Sequence, residues 1–200
     1  MSLLADDTPF EQPESFEFTS ENLDRAKAHI AKYPPGRQAS AVLPLLWIAQ
    51  EQNGGWLPQA AMDAVAGMLG MAPIRVYEVA TFYTMFNLRP VGRYLLQVCA
   101  TTPCWLRGSD EGVRVCEQKL GIGVGGTTMD GLFTLVEVEC LGACVNAPIL
   151  QVNNDFYEDL DGPRTEALLD ALRGGNPPPP GSLAGRHGSE PVGGRTTLLE

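Results

Sequence analysis

The first half of the chain has hydrophobic residues at the three- and four-residue spacing of amphipathic helices. This spacing predicts four helices, which begin near Thr19, Ser40, Pro58 and Pro73. The inner stripe of the second helix contains Leu43, Leu46, Trp47 and Gln50. We expect residues 19–90 to form a small helical bundle, with its aromatic and methionine side chains in the core.

After residue 90 the pattern changes to that of a mixed domain of strands and helices. The predicted strands cover 94–100, 133–140, 149–152 and the residues from Phe156. Helical spacing predicts helices that start at Ser109 and Pro163. The run over 133–140 alternates apolar and polar residues, which predicts a strand with one face in solvent. The order of elements indicates an α/β or α+β domain over residues 91–173.

Both ends of the chain lack this periodicity. Residues 1–18 are acidic, contain no Lys or Arg and predict a flexible arm. Residues 174–200 contain seven Gly and five Pro, a composition that cannot bury a core of its own. We therefore expect a Gly/Pro-rich tail that is flexible or lies on the surface.

Composition and charge exclude several classes of function. The chain has 200 residues, with 14 Lys and Arg against 24 Asp and Glu, and a formal net charge of -10. A surface this acidic would repel nucleic acid, which proteins bind through Lys and Arg. No apolar stretch is long enough to span a bilayer, and the N-terminus resembles neither a secretory signal nor a transit peptide. We expect a cytoplasmic protein, or one from which a targeting segment has been removed.

The cysteines carry the candidate chemistry. Four of the five form two pairs, Cys99-x4-Cys104 and Cys140-x3-Cys144, and each pair stands where a predicted strand runs out into a loop. Ligands gather at strand ends in α/β folds. Gly142 lies where unusual backbone angles would let amide groups point at sulfur.

Spacing alone leaves the chemistry of these thiols open. A 2Fe-2S cluster needs four thiolates, two for each iron, which the two pairs would supply. Zinc also accepts four cysteines and is the main alternative, while a disulfide or redox thiols form a third. Thioredoxin-type exchange would require two intervening residues between the cysteines, and neither pair has them. Cys116 falls on the apolar face of its helix, so we interpret it as an inert core residue.

Other motifs give weaker signals. His29 lies in the first predicted helix and His187 in the tail, so neither is placed for Rieske ligation, and both are interpreted as surface residues. Gly121, Gly123 and Gly126 match the dinucleotide-binding pattern, but they follow a predicted helix instead of joining a strand to one. A cluster-bearing protein without its own nucleotide site must receive electrons from a partner.

The sequences around the two cysteine pairs resemble those of a known protein family. CATTPCWLRG (99–108) and VECLGACVNAP (138–148) closely resemble the small 2Fe-2S subunit of respiratory NADH:quinone oxidoreductase, complex I. The resemblance covers about residues 20–173, including AQEQNGGWLP (49–58) and VYEVATFYTMF (76–86). It implies a thioredoxin-like 2Fe-2S ferredoxin domain after the N-terminal helical bundle.

The resemblance also implies a site and a partner. Cys99, Cys104, Cys140 and Cys144 match the family's cluster ligands without departure. The implied function is single-electron exchange with the FMN of a partner flavoprotein subunit that binds NADH, in a complex peripheral to the membrane. The implied location is the cytoplasmic side of the bacterial inner membrane, or the mitochondrial matrix for a processed form.

Two alternatives to this function stay open at this point. One is the equivalent diaphorase subunit of an NAD-reducing hydrogenase or a formate dehydrogenase. The other is an assembly module without redox activity, in which the same four cysteines bind zinc.

Overall fold

The computed structural model describes residues 10–198, and residues 1–9 of the expected N-terminal arm lie outside the described residues. The described chain forms two compact units, residues 10–91 and 92–198. Each unit has a hydrophobic core of its own. Among the described residues, no helix has the length and hydropathy needed to cross a bilayer.

The first unit is helical. Its elements are α1 (Ser20–Ile30), a 3-10 turn (Gln38–Ala41), α2 (Val42–Gln52), α3 (Gln59–Leu69) and α4 (Pro73–Phe82). Thr19 caps α1, because its hydroxyl accepts the N–H of Asn22 at 3.3 Å. Pro73 opens α4 as predicted, whereas Pro58 is the cap of α3 and the helix begins one residue later than expected.

Helix α2 lies at the centre of this unit and contacts α1, α3 and α4. Of its predicted stripe, Leu46 is buried whereas Leu43 and Trp47 are half-buried, and Leu45, Ile48 and Ala49 outside the stripe are buried. Gln50 is also buried, and its side chain bridges two backbone groups beyond α4. It donates to the Met85 carbonyl at 3.0 Å and accepts the Asn87 N–H at 2.7 Å.

The expectation that aromatic and methionine side chains fill this core is wrong at three positions. Phe82, Tyr83 and Met85 are 76%, 41% and 44% exposed. Helix α4 turns Val76 and Ala80 inward. Phe82 lies two residues after Ala80, which places it on the opposite side of the helix.

The described part of the N-terminal segment packs on this unit, contrary to the expected loose arm. The Phe10 ring contacts Trp56 edge to face, with centroids 5.5 Å apart, and the Arg89 guanidinium lies 5.0 Å from the Phe10 centroid. Phe16 and Phe18 pack against the helical core. Aromatic burial therefore anchors a segment whose charge suggested disorder.

The second unit contains a five-stranded sheet. Its strands are β1 (Tyr94–Cys99), β2 (Phe133–Val138), β3 (Leu150–Val152), β4 (Asp155–Glu158) and β5 (Gly181–Ser182). Its helices are α5 (Thr102–Leu106), α6 (Ser109–Leu120) and α7 (Gly162–Arg173). The strand order is β2-β1-β3-β4-β5. The β1/β2 and β4/β5 pairs are parallel, and β1/β3 and β3/β4 are antiparallel.

Strand β2 is buried along most of its length, so the prediction of one face in solvent is wrong. Its first four residues, 133–136, are all buried. The preceding loop runs along its outer edge, where the Gly125 N–H donates to the Leu135 carbonyl and the Leu135 N–H to the Gly126 carbonyl. The hydroxyl of buried Thr134 is paired with that of Thr127 at 2.7 Å. The loop therefore pairs with the β2 backbone and supplies Thr127 as the partner of Thr134, a polar residue of the run that is buried instead of solvated.

The C-terminal segment packs on the second unit, whereas the sequence left open whether the tail is flexible or lies on the surface. Strand β5 adds to the sheet beside β4, and the Tyr157 hydroxyl donates to the Pro178 carbonyl at 3.1 Å. Arg186 forms a buried ion pair with Asp159, whose side chains are 8% and 5% exposed. The segment is held by hydrogen bonds and an ion pair to residues of the sheet domain, and composition alone could not indicate these contacts.

The first prediction concerns Gly92, where the backbone passes close to β2. A Cβ at this residue would lie 2.7 Å from the Phe133 carbonyl carbon, and the Gly92 N–H already donates to the buried Thr134 hydroxyl at 2.6 Å. Gly92→Ala should lower the free energy of unfolding in urea by about 1–3 kcal/mol, because the strand must shift. Gly67→Ala on α3 is the control, since open space surrounds Gly67 and the helix should gain about 0.5–1 kcal/mol. Wild-type stability of Gly92→Ala would contradict the close approach.

The second prediction concerns the pH dependence of the Asp159–Arg186 pair. Burial raises the pKa of Asp159, but hydrogen bonds from Arg186 and Ser182 outweigh it and lower the pKa below its ordinary value. The carboxylate therefore adds stability above its unfolded pKa of about 4, which is lost as the pH falls through the lower folded pKa. Urea midpoints of wild type and Asp159→Asn should differ most at neutral pH and converge in acid. A difference that stays constant with pH would refute this.

Candidate metal centre

The structure brings the two cysteine pairs to the same end of the sheet. Cys99 is the last residue of β1, and Cys104 lies in α5 just after it. Cys140 follows the end of β2, and Cys144 begins a 3-10 turn that ends at Asn146. Because β1 and β2 are parallel and Cys99 pairs with Val138, both strands deliver their cysteines to one edge.

The described cysteines are free thiols. The Sγ atoms of Cys140 and Cys144 are 3.3 Å apart. A tetrahedral metal with metal–sulfur bonds of about 2.3 Å holds two sulfurs about 3.8 Å apart. The second pair therefore lies within about half an ångström of the separation that one metal ion imposes.

The two pairs differ in their exposure to solvent. Cys99 and Cys104 are each 1% exposed, whereas Cys140 is exposed and Cys144 half-buried. Ile149 and Ala147 pack against the buried pair. The centre therefore has an inner side within the fold and an outer side at the surface.

Backbone amides point at the sulfurs. The donors include the N–H groups of Leu141 and Thr101 to Cys99, Gly142 to Cys140 and Ile149 to Cys104. Gly142 has φ +86°, a left-handed conformation that glycine adopts at no steric cost. The predicted role of Gly142 in turning amides toward sulfur is confirmed. Such donors stabilise the negative charge of thiolates.

Within the buried pair the two thiols have opposite pKa shifts. Burial raises the pKa of Cys99, but hydrogen bonds from the Thr101 hydroxyl and the Leu141 N–H outweigh it and lower the pKa below its ordinary value. Burial raises the pKa of Cys104 to about 12, and its hydrogen bond to Cys99 adds to the rise. Cys99 is therefore the thiol that ionises first, with Cys104 as its donor.

The two thiols of the outer pair, Cys140 and Cys144, also have opposite pKa shifts. The Gly142 N–H and then the Cys144 thiol lower the pKa of Cys140, and the same contact with Cys140 raises the pKa of Cys144. Each pair thus holds one thiol that ionises readily beside one that keeps its proton. Thiols must be deprotonated to bind metal, so loading the site would release protons.

The donor set fits a two-iron cluster. Within residues 10–198, no three His, Cys, Asp or Glu side chains converge on one metal-ion position. The four sulfurs stand as two pairs, and a 2Fe-2S cluster takes two thiolates for each iron. In that arrangement Cys99 and Cys104 would hold the inner iron, and Cys140 and Cys144 the outer one.

Sequence reasoning missed one element and one polar group of this site. It placed Cys104 in a loop after the first predicted strand, whereas Thr102–Leu106 forms α5, with Pro103 in its first turn. It also gave no role to Thr101, whose hydroxyl lies 3.4 Å from the Cys99 sulfur and also hydrogen-bonds Cys140. A hydroxyl residue two positions after a candidate ligand was the available signal.

The remaining sequence candidates lie apart from the cysteine pairs. Cys116 is fully buried, and burial raises its pKa to about 12, in agreement with the predicted inert core residue. Gly121 ends α6 with φ +68°, so the glycine-rich run begins as a helix stop, as interpreted. His187 is an exposed residue of the tail, and His29 a half-buried residue of α1.

Comparison with known proteins agrees with this geometry. A family model described as thioredoxin-like 2Fe-2S ferredoxin matches residues 26–173. The E-type subunit of the NADH-quinone oxidoreductase of Rickettsia conorii is 58% identical over 159 residues, which are 80% of this chain and 95% of that subunit. Mitochondrial NADH dehydrogenase (ubiquinone) flavoprotein 2 of Dictyostelium discoideum is 54% identical over 185 residues, which are 92% of this chain and 75% of that protein.

A solved structure shows the same fold. A chain of an NAD+-reducing nickel–iron hydrogenase in the air-oxidized state matches with a TM-score of 0.58 and 22% identity. The match covers 66% of this chain and 23% of the hydrogenase chain, and at this identity it concerns the fold alone. The family model spans most of the sequence and includes all four paired cysteines. The chain therefore belongs to the thioredoxin-like 2Fe-2S ferredoxin family, in the group of the E-type subunits of NADH-quinone oxidoreductases.

Proposed function

We propose that this chain is the electron-transfer subunit of an NADH:quinone oxidoreductase and holds one 2Fe-2S cluster on Cys99, Cys104, Cys140 and Cys144. Its electrons would be exchanged one at a time with the FMN of a partner subunit that binds NADH. The observation that carries this proposal is the set of four thiols at one sheet end, paired and met by backbone N–H donors. The names of the relatives support the choice of complex.

The chain's own residues would bind and tune the group. When bound, a 2Fe-2S cluster supplies a one-electron redox centre. The four thiolates would hold the two irons, while the amides of Leu141, Gly142 and Ile149 would offset negative charge at the sulfurs. The inner pair is shielded by the fold, so a redox partner would approach from the side of Cys140 and Cys144.

Exposed apolar side chains directly follow two of the four cysteines in sequence. Trp105 and Leu106 follow Cys104 and are 60% and 70% exposed, and Val145 follows Cys144 and is 65% exposed. Exposed apolar residues grouped in this way mark protein interaction sites. They support a flavoprotein subunit as the neighbour that covers this surface and brings its flavin close to the outer cysteine pair.

The alternatives are less well supported. The quinone-linked relative from Rickettsia is 58% identical over 95% of its length, whereas the hydrogenase chain is 22% identical and matched over 23%. The proposed location is peripheral, on the cytoplasmic side of the bacterial inner membrane or in the mitochondrial matrix. A colourless protein with bound zinc, obtained when iron is supplied during expression, would support the assembly module instead.

The third prediction tests the ligand set. Serine at Cys99, Cys104, Cys140 or Cys144 should abolish or strongly alter the cluster, because each residue supplies one of four sulfurs. Two irons and two sulfides per chain and a reduced S = 1/2 EPR signal are expected for the anaerobically purified wild type. Cys116→Ala is the matched control, since this buried thiol lies on the helical core face and should leave the spectrum unchanged. Equal loss in the control would overturn the assignment.

The fourth prediction tests the source of the electrons. NADH alone should leave the oxidised chain unreduced, because the proposed hydride acceptor belongs to the partner. When a catalytic amount of the FMN-bearing subunit from the same organism is added, NADH should reduce the chain. The reduction is measured as a loss of visible absorbance and the appearance of the EPR signal. Dithionite reduction measures the full signal. Reduction by NADH without the flavoprotein would contradict the assigned division of labour.

A further inference from the structure

The segment that crosses the Cys144 loop lies outside the region matched by the family model. We refer to residues 181–190 as the strap, and the family match ends at residue 173. The strap begins as β5, which pairs with β4. From there it continues over the 3-10 turn that starts at Cys144.

Arg186 is the central contact of the strap. Its guanidinium donates through Nε to Asp159 Oδ2 at 2.9 Å and through Nη2 to Asp159 Oδ1. Nη2 also lies 3.4 Å from the carbonyl oxygen of Val145, the residue directly after Cys144. Arg186 therefore connects the turn to the end of β4 by a planar fork of donors.

Asn146 forms the second contact. This buried side chain donates through Nδ2 to Glu158 Oε2 at 2.6 Å and to the Gly188 carbonyl of the strap at 2.8 Å. Because both the Glu158 carboxylate and the Gly188 carbonyl are acceptors, the side-chain NH2 group of Asn146, not its oxygen, must face them. The carbonyl of Asn146 in turn accepts the Asp159 N–H at 2.7 Å. The two residues after Cys144 are thus held on several sides.

These contacts hold the turn that carries Cys144, on the outer side of the metal centre. Cys144 begins a turn of only three residues, so the placement of its sulfur depends on what fixes Val145 and Asn146. Ligand geometry, nearby charge and solvent exposure set the affinity and potential of a metal site. The Arg186–Asp159 pair beside this turn is itself buried.

We infer that the strap is a positioning element for the metal centre, with Arg186 as its central residue holding Cys144 in register with Cys140. The inference deepens the proposed function and depends on it for the cluster, while the effect on the turn itself can be measured without metal. Arg186 touches no sulfur in the described contacts and acts through the Val145 carbonyl and Asp159.

The fifth prediction compares three variants of the full chain. Arg186→Ala should release iron to a chelator about tenfold faster or more, as is typical when a ligand's supporting contact is lost, and should change the reduced EPR signal and the midpoint potential. Arg186→Lys keeps the charge without the fork and should fall between it and wild type. Arg195→Ala is the matched control, since it removes an exposed arginine of the same segment outside the strap.

Hydrogen exchange in the cluster-free protein separates positioning from global stability. The Asn146 and Ala147 amides donate to the Ala143 and Cys144 carbonyls within the turn. Arg186→Ala should make these two amides exchange faster while β1 and β2 stay protected. If Arg186→Ala fails to fold, Asn146→Ala, which leaves the ion pair intact, should show the same local change and faster iron release.

The outcomes distinguish the two proposals. Wild-type iron release, EPR signal and exchange at the turn in Arg186→Ala would overturn the strap inference. The inference also fails if Asn146→Ala, tested in its place, matches wild type. A wild-type chain that binds no iron and sulfide would overturn the proposed function, and the exchange of the turn amides would still decide whether the strap holds the loop.

Discussion

The parallel pairing of β1 and β2 is the constraint on which the rest of this structure depends. It places Cys99 beside Val138, so that two loops far apart in sequence begin at the same edge. At the other end of this strand pair, Gly92 passes within contact distance of the Phe133 backbone, and its N–H binds the Thr134 hydroxyl. A side chain at Gly92 would disturb the pairing that aligns the cysteines.

The site combines negative charge with a chain that is already acidic. In the proposed cluster-bound form, four thiolates in a small volume would repel one another, and the formal net charge of -10 offers no general compensation. Local groups supply it instead. Amide N–H groups face Cys99, Cys104 and Cys140, whereas Arg186 beside the outer loop adds no net charge, because Asp159 neutralises it. Short-range dipoles are therefore more important here than overall charge.

The two units contribute differently to interaction. The second unit exposes Trp105, Leu106 and Val145, each close in sequence to one of the paired cysteines, and the first unit exposes Phe82 at the end of α4 and Met85 after it. Exposed apolar side chains cost a monomer solubility and are typical of subunits of a larger assembly. This agrees with the group of relatives to which the chain belongs.

Local patterns were sufficient for much of the fold and for picking out the four paired cysteines. Helical spacing and the Thr19 cap identified α1, and the two cysteine pairs with their loops identified the candidate centre, because these signals lie within a few residues of one another. The tertiary structure alone decided the burial of β2, the packing of Phe10 on Trp56, the contact of Thr101 with Cys140 and the return of Arg186 to Asp159. Each of these features depends on another part of the chain that packs against the residue in the folded protein. Periodicity along the chain carries no information about a partner that lies far away in sequence.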